Sequence, residues 1–248
     1  VIVDGMPFHL KAWQEAFASM GIEVSQTDVY LREGMDPRET IQQILREKGL
    51  SLDTQEIERI NTIKNQVLNA IFQVRFIPGS LEFLSKLRAR GLKLALVTGT
   101  RKEVVERILK EGLPFRRSMG AKEGLGSASG GRQRRPCELL QGPPRAGFDV
   151  VITADSTERK KPHPAPFLKA VVHLRRIGID KEDCIAIENS PAGIASAKGA
   201  GLKCIALTTS LPEEYLKGAD AIFHNLESAL GGQAFRYGCH GVRHCLSG

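Results

Sequence analysis

The stretch 184–201, C-I-A-I-E-N-S-P-A-G-I-A-S-A-K-G-A-G, constrains this chain more than any other. Cys184 to Ile187 is a short apolar run of the kind that forms a buried strand. Glu188 and Asn189 follow where that strand must end, and Ser190 can cap the helix beginning there. Pro191 suits the first helical position, where its missing N–H would have no partner anyway. The small residues Ala192, Gly193, Ala195, Ala197, Gly199 and Ala200 let such a helix lie close against a sheet. In open α/β sheets, ligands bind at the carboxyl ends of strands. Two side-chain oxygens at such an end, ahead of a helix N-terminus, suit a hard cation and a phosphate. A capped strand–helix turn with Glu188 and Asn189 solvated is the plainer reading of the same residues.

The rest of the chain supplies the sheet that this stretch needs. Leu92–Val97, Phe148–Thr153, Lys203–Leu207 and Asp220–Phe223 are further continuous apolar runs. Helical patterns at Ser80–Arg90, Arg101–Lys110, Pro164–Arg176 and Pro191–Ala200 alternate with them. Continuous apolar strands alternating with helices predict a doubly wound α/β core whose parallel sheet is covered on both faces. Before this alternation the pattern is helical throughout. Phe8, Ala12, Trp13, Ala16 and Phe17 recur at helical spacing, and Asp36–Lys48 and Thr54–Phe72 continue it until Pro78-Gly79. Val1–Val3 reads as a scrap of strand. The predicted organisation is therefore a core domain formed by 1–5 and 79–230, with an inserted all-helical cap domain at 6–78.

Two segments lack periodicity. Residues 115–147 are rich in Gly, Arg and Ser, whereas connections in α/β units usually run about 2–6 residues. Composition favours a disordered or foreign insertion over a functional lid. Residues 231–248 stay unassigned. These segments also carry the net charge of +7, with +5 in the first and +2 in the second. The body is balanced, and the basic loop has no aromatic interleaving, so no nucleic-acid partner is expected. No run of about 18 apolar residues exists to span a membrane, and no signal peptide is visible at Val1–Lys11. Five cysteines form no disulfide framework, and Cys184 and Cys204 lie in strand-like runs as reduced core cysteines do. The spacing of Cys239, His240, His244 and Cys245 matches no zinc pattern. A reducing cytoplasm and a monomer are the expectations.

Three polar groups fall at strand ends. Thr98 in L-V-T-G-T-R follows one strand, Gly99 permits backbone approach to an anion, and Arg101 can reach a phosphate. Lys161 in R-K-K-P-H-P-A-P-F follows a second, with Lys160 competing for its role. Glu188 and Asn189 follow a third. Together they point to phosphate and magnesium chemistry.

The segments V-I-V-D-G-M-P-F-H-L-K-A-W-Q-E-A-F, L-V-T-G-T-R, K-P-H-P-A-P-F and I-E-N-S-P-A-G-I resemble the haloacid dehalogenase (HAD) superfamily, closest to its β-phosphoglucomutase-like phosphatase branch. The resemblance covers 1–114 and 148–230. It implies a Rossmann-like HAD core, Mg²⁺, and phosphoryl transfer through an aspartyl-phosphate. By the same likeness Thr98 holds the phosphoryl group and Lys161 neutralises its charge. Glu188 and Asn189 serve the metal, with Asn in place of the usual Asp removing one negative charge. In the cap, His9 and the loop Gly34-Met35-Asp36-Pro37-Arg38 match positions that face substrate, His9 and Arg38 among them as candidate contacts.

The family's D-x-D-G signature is not present. On the family pattern Val1 stands just after it, and Asp4 matches a later aspartate that is not the nucleophile. The resemblance thus implies a Mg²⁺-dependent phosphatase of small phosphorylated metabolites, sugar phosphates favoured. This chain itself is expected to be inactive and weakly stable, since the family places the missing strand centrally. A phosphoglucomutase within the same fold, and a non-catalytic binding module or truncated product, are the competing readings.

Overall fold

The computed structural model describes residues 1–112, 147–231 and 244–247. The predicted insertion at 115–147 lies outside them, except for its last residue. Helices α1 (Met6–Ala18), α2 (Gln26–Tyr30), α3 (Pro37–Glu47) and α4 (Thr54–Ile71) come first. Each later helix of this group starts on a side-chain cap. Ser25 and Asp53 both form reciprocal capping boxes, and the Asp36 carboxylate accepts from the N–H groups of Arg38 and Glu39. α1 buries Ala12, Trp13, Ala16 and Phe17, the stripe its spacing predicts, and packs along α4. Three to four turns of such a helix are stabilised chiefly by that buried face.

After α5 (Ser80–Ala89) the chain alternates: β1 (Leu94–Val97), α6 (Lys102–Gly112), β2 (Val150–Ile152), α7 (Ala165–Arg175), β3 (Cys184–Glu188), α8 (Pro191–Gly199), β4 (Lys203–Leu207), β5 (Ala221–Phe223), α9 (Leu226–Gly231) and β6 (His244–Ser247). The sheet order is β2-β1-β6-β3-β4-β5, and every pairing is parallel. The α/β fold with a parallel sheet is thus as the sequence implied.

The two faces of the sheet differ in side-chain size. Ala95, Ala186, Cys204 and Ala206 belong to the apolar cluster that includes Phe167 and Ala197 of α7 and α8. Leu94, Ile185, Ile187, Ile205 and Leu207 pack with Phe83 and Leu87 of α5 and Leu226 of α9. Alternation along β3 and β4 sends small residues one way and large ones the other. The small face lets α7 and α8 approach closely. At the opposite end of the strands two carboxylates pin the sheet. Asp149 accepts the Leu94 N–H at 2.8 Å, and Asp220 accepts the Cys204 N–H at 2.7 Å.

Two expectations are corrected. Val1–Val3 does not join the sheet; Val3 makes a lone antiparallel bridge to Phe76, while Val1 and Ile2 are buried in the core. The tail left unassigned contributes β6, which sits between β1 and β3. Its Leu246 is in register with both Ala95 and Ala186. The inner edges of β1 and β3, expected to be exposed, are therefore paired. A four-residue segment with no clear period takes this place because the slot, open on both sides to backbone hydrogen bonding, decides its conformation. No helix among the described residues is long and apolar enough to cross a membrane.

Candidate active site

β1, β3 and the turn after β2 end on the same edge of the sheet, and their last residues converge. Lys161 is 5% exposed and Glu188 2% exposed. The Lys161 Nζ donates to Glu188 Oε1 at 2.5 Å and to the Val97 carbonyl at 3.0 Å, and lies 5.2 Å from the centre of the Phe167 ring. A charge this buried needs its partner. The competing Lys160 is tied instead to the carbonyls of Ala154 and Thr157. The sequence left that choice open; the structure gives the buried position to Lys161.

Glu188 is held by the helix that follows it. Ser190 caps α8 by accepting the Gly193 N–H at 3.2 Å. A Cβ on Gly193 would lie 2.2 Å from Glu188 Oε2, so the carboxylate occupies the space a side chain would fill. Asn189 donates through Nδ2 to Ser210 Oγ at 2.9 Å and to Glu33 Oε2 at 3.3 Å.

Thr98 stands at the end of β1, its N–H bound to the Ile152 carbonyl at 2.9 Å. Its hydroxyl donates to Thr100 Oγ1 and accepts the Thr100 N–H, each at 3.1 Å. The first turn of α6 follows, with the Lys102 N–H donating to Asp155 at 2.7 Å.

The helical segment closes over these groups through the turn between α2 and α3. Gly34, at φ 84°, is the left-handed residue that turns this loop. A Cβ there would meet Lys161 Cδ at 3.3 Å, and a Cβ on Gly99 would meet the Gly34 Cα at 3.2 Å. The two glycines let backbone meet backbone across the cleft. Between helices and sheet lies a cavity of about 540 Å³. Thr98, Gly99, Arg101, Lys161, Glu188 and Asn189 line it from the sheet side, and His9 lines it from α1.

Arg38 is not among the lining residues. It is the second residue of α3, is exposed and pairs with Glu58 of α4, whereas Pro37 before it lines the cavity. His9 is held neutral, its pKa pushed down to about 3 by burial and by Lys64.

Lys64 and Glu33 line the cavity but were not singled out in the sequence. Lys64 is 6% exposed, lies 5.2 Å from the centre of the Trp13 ring, and reaches Asn65 Oδ1 at 3.5 Å. Burial, with Arg101 adding to it, pushes its pKa down to about 8. In a helix of mixed period a single Lys reads as a surface residue; Trp13 one turn along the facing helix was the available signal. Burial pushes the half-buried Glu33 carboxyl above its usual range, and the charge of Glu188 adds to this.

Mg²⁺ requires near-octahedral oxygen ligands. Glu188 spends one carboxylate oxygen on Lys161, and Asn189 presents its amide N–H groups to Glu33 and Ser210. Among the described residues no three His, Cys, Asp or Glu side chains stand together as a metal site. These residues do not by themselves fit the cation.

The family model for haloacid dehalogenase-like hydrolases matches residues 1–201. The protein CbbY of Cereibacter sphaeroides is 28% identical over 234 residues, which span 91% of this chain and 88% of that protein. Hexitol phosphatase A of Escherichia coli is 22% identical over 229 residues, 91% of this chain and 87% of that protein. Among solved structures, a putative beta-phosphoglucomutase from Bacteroides vulgatus superposes with a TM-score of 0.66 at 25% identity, covering 91% of this chain and 80% of that one. A family match over most of the chain, on a parallel sheet whose strand ends carry Thr98, Lys161 and Glu188, means that the chain belongs to the haloacid dehalogenase-like hydrolases and resembles their phosphoric monoester hydrolases.

Proposed function

We propose that the cavity binds small phosphorylated metabolites, sugar and hexitol phosphates foremost, the substrates of a phosphatase, while none of the residues that line it is assigned the attack on phosphorus and these residues alone are expected to turn over little. The observation that carries this reading is the meeting of Thr98 and the Lys161–Glu188 pair at adjoining strand ends beneath a covering helical segment. The Thr98 hydroxyl and the backbone around Gly99 hold phosphoryl oxygens. The start of α6 adds the positive end of a helix, which favours an anion. Lys161 offsets the phosphoryl charge from a site where water screens it poorly. Gly99 leaves room for an oxygen to approach the main chain.

The cavity suits the rest of such a molecule. About 540 Å³ falls in the range of small-ligand sites. Lys64, Asn65 and Asn69 offer donors to hydroxyl groups, and Leu68 and Phe72 offer apolar wall. The Gly34–Gly99 contact keeps the covering segment close enough to exclude water from the ligand. Hexitol phosphatase A, similar over most of its length, acts on this class by its name.

Binding tests the reading directly. Calorimetric titration with inorganic phosphate and with a hexitol phosphate should show saturable binding by the parent chain. Lys161→Met and Thr98→Ala should each weaken it by about tenfold or more, the worth of one hydrogen bond to a charged group. A parent chain that binds neither ligand, or variants that bind as tightly as the parent, would overturn it.

A further inference from the structure

Lys64 is a buried amine that plays no part in holding the phosphoryl group. α4 carries it to the wall of the cavity, and α1 packs along that helix. Its nitrogen lies 5.2 Å from the centre of the Trp13 ring and reaches Asn65 Oδ1 only at 3.5 Å. Among the described residues no carboxylate pairs with it. Glu188 gives an oxygen to Lys161, Glu33 accepts from Asn189, and Asp155 accepts the Lys102 N–H. The charge that bears on Lys64 is a second cation, the Arg101 guanidinium, and the His9 that it disfavours from charging is neutral. Arg107 of α6 lines the same cavity.

A lysine stays protonated where water or a carboxylate holds its charge. The Trp13 face attracts an ammonium less firmly than either would. Burial against apolar surface, with another cation close by, is the setting that turns a lysine into a nucleophile. With the Lys64 pKa pushed from 10.5 to about 8, about one amine in ten is neutral at pH 7. For an exposed lysine the figure is about one in three thousand.

We propose that Lys64 is a covalent site for small aldehydes, its amine condensing with the carbonyl carbon inside the cavity to form an imine. This activity goes beyond the phosphate reading and does not depend on it. The amine lone pair attacks the carbonyl carbon, and a C–N bond forms as the C=O π pair moves to oxygen, which takes one amine proton. The hydroxyl so made then leaves as water with the second amine proton, while the nitrogen lone pair closes the C=N bond. No oxidant or reductant enters. Asn65 and Asn69 line the same wall and offer hydrogen bonds to hydroxyls carried by the aldehyde. A cavity of about 540 Å³ has room for a short hydroxyaldehyde in its open-chain form.

The test is reductive trapping of the parent chain with glyceraldehyde and cyanoborohydride at about pH 7, each lysine being followed by peptide mass mapping. Hydride from the reagent fixes the imine as a secondary amine. Lys64 should be labelled at least about tenfold faster than the exposed Lys217. The ratio of the two rates should shrink between about pH 7 and 10, because Lys217 gains neutral amine over that range and Lys64 gains little above about pH 8. In denaturing urea the two should label alike. Lys64→Arg, with a melt to establish folding, should lose the fast-labelled equivalent. Equal labelling of Lys64 and Lys217 in the folded parent chain overturns the proposal. So does a preference that survives urea, which would come from local sequence and not from the cavity. A parent chain that binds no inorganic phosphate by calorimetric titration yet traps the aldehyde at Lys64 loses the phosphate reading and keeps this one.

Discussion

Replacing Gly193 by alanine puts the tightest contact in the site under strain. The added Cβ would lie 2.2 Å from Oε2, 2.3 Å from Cδ and 2.6 Å from Oε1 of Glu188, well inside van der Waals contact. Neither side can yield cheaply. Gly193 is fixed in the first turn of α8 by the Ser190 cap, and Glu188 lies among buried neighbours at 2% exposure. The carboxylate must leave, and its 2.5 Å pair with Lys161 breaks. Breaking a buried pair costs about 3–5 kcal/mol, and the better helix propensity of alanine returns at most about 1 kcal/mol. A net loss of about 2–4 kcal/mol lowers the melting temperature of a chain this size by about 10 °C. Thermal unfolding followed by circular dichroism measures it. In a Glu188→Ala background the alanine has nothing to strike, so the second substitution should add almost nothing. A Gly193→Ala chain that melts at or above the parent temperature refutes the reasoning.

Lys64→Met should stabilise the protein at about pH 7 while weakening its hold on sugar phosphates, the trade expected of a buried functional charge. The folded pKa of Lys64 is pushed from 10.5 to about 8, so stability from this group rises with pH between those values and the melting gap between parent and variant should narrow at about pH 10. For His9 the folded pKa of about 3 lies below the ordinary 6.5, so the unfolded chain takes up the proton first and stability falls as pH drops through that window. A His9→Leu chain should lose part of this acid sensitivity; melts that decline as steeply as the parent's would count against it. Ending the chain after residue 231 removes β6 and leaves β1 and β3 without their shared neighbour, so cooperative unfolding should be lost. A truncated chain with the parent's melt would show that β6 is dispensable.

The amino-acid sequence makes legible whatever local chemistry decides. Thr98, Lys161 and Glu188 each sit where an apolar run gives way to a polar residue ahead of a helix, and strand ends in a parallel sheet share one edge. The α1 stripe was legible because five apolar residues recur at one period. Distance in the sequence hid the rest. Glu33 matters only because its loop meets Asn189, and Lys64 only because Trp13 and the cavity bury it. Arg38 looked available until Glu58, from another helix, claimed it. β6 was invisible because four residues carry too little pattern to outweigh the slot that shapes them.

The place of β6 has a consequence for how the protein is made. It follows every other described strand in the sequence, yet β1 and β3 meet only through it. As the chain leaves the ribosome at about 5–20 residues per second, it can form β1 with β2, and β3 with β4 and β5, before the joining strand exists. Each half-sheet then waits with an unpaired edge, the surface on which strands of other chains can dock. Pairing Ala95 with Leu246 closes a loop of more than half the chain, which is slow for entropic reasons. The interval between synthesis of α9 and docking of β6 is therefore when a nascent chain most needs a chaperone.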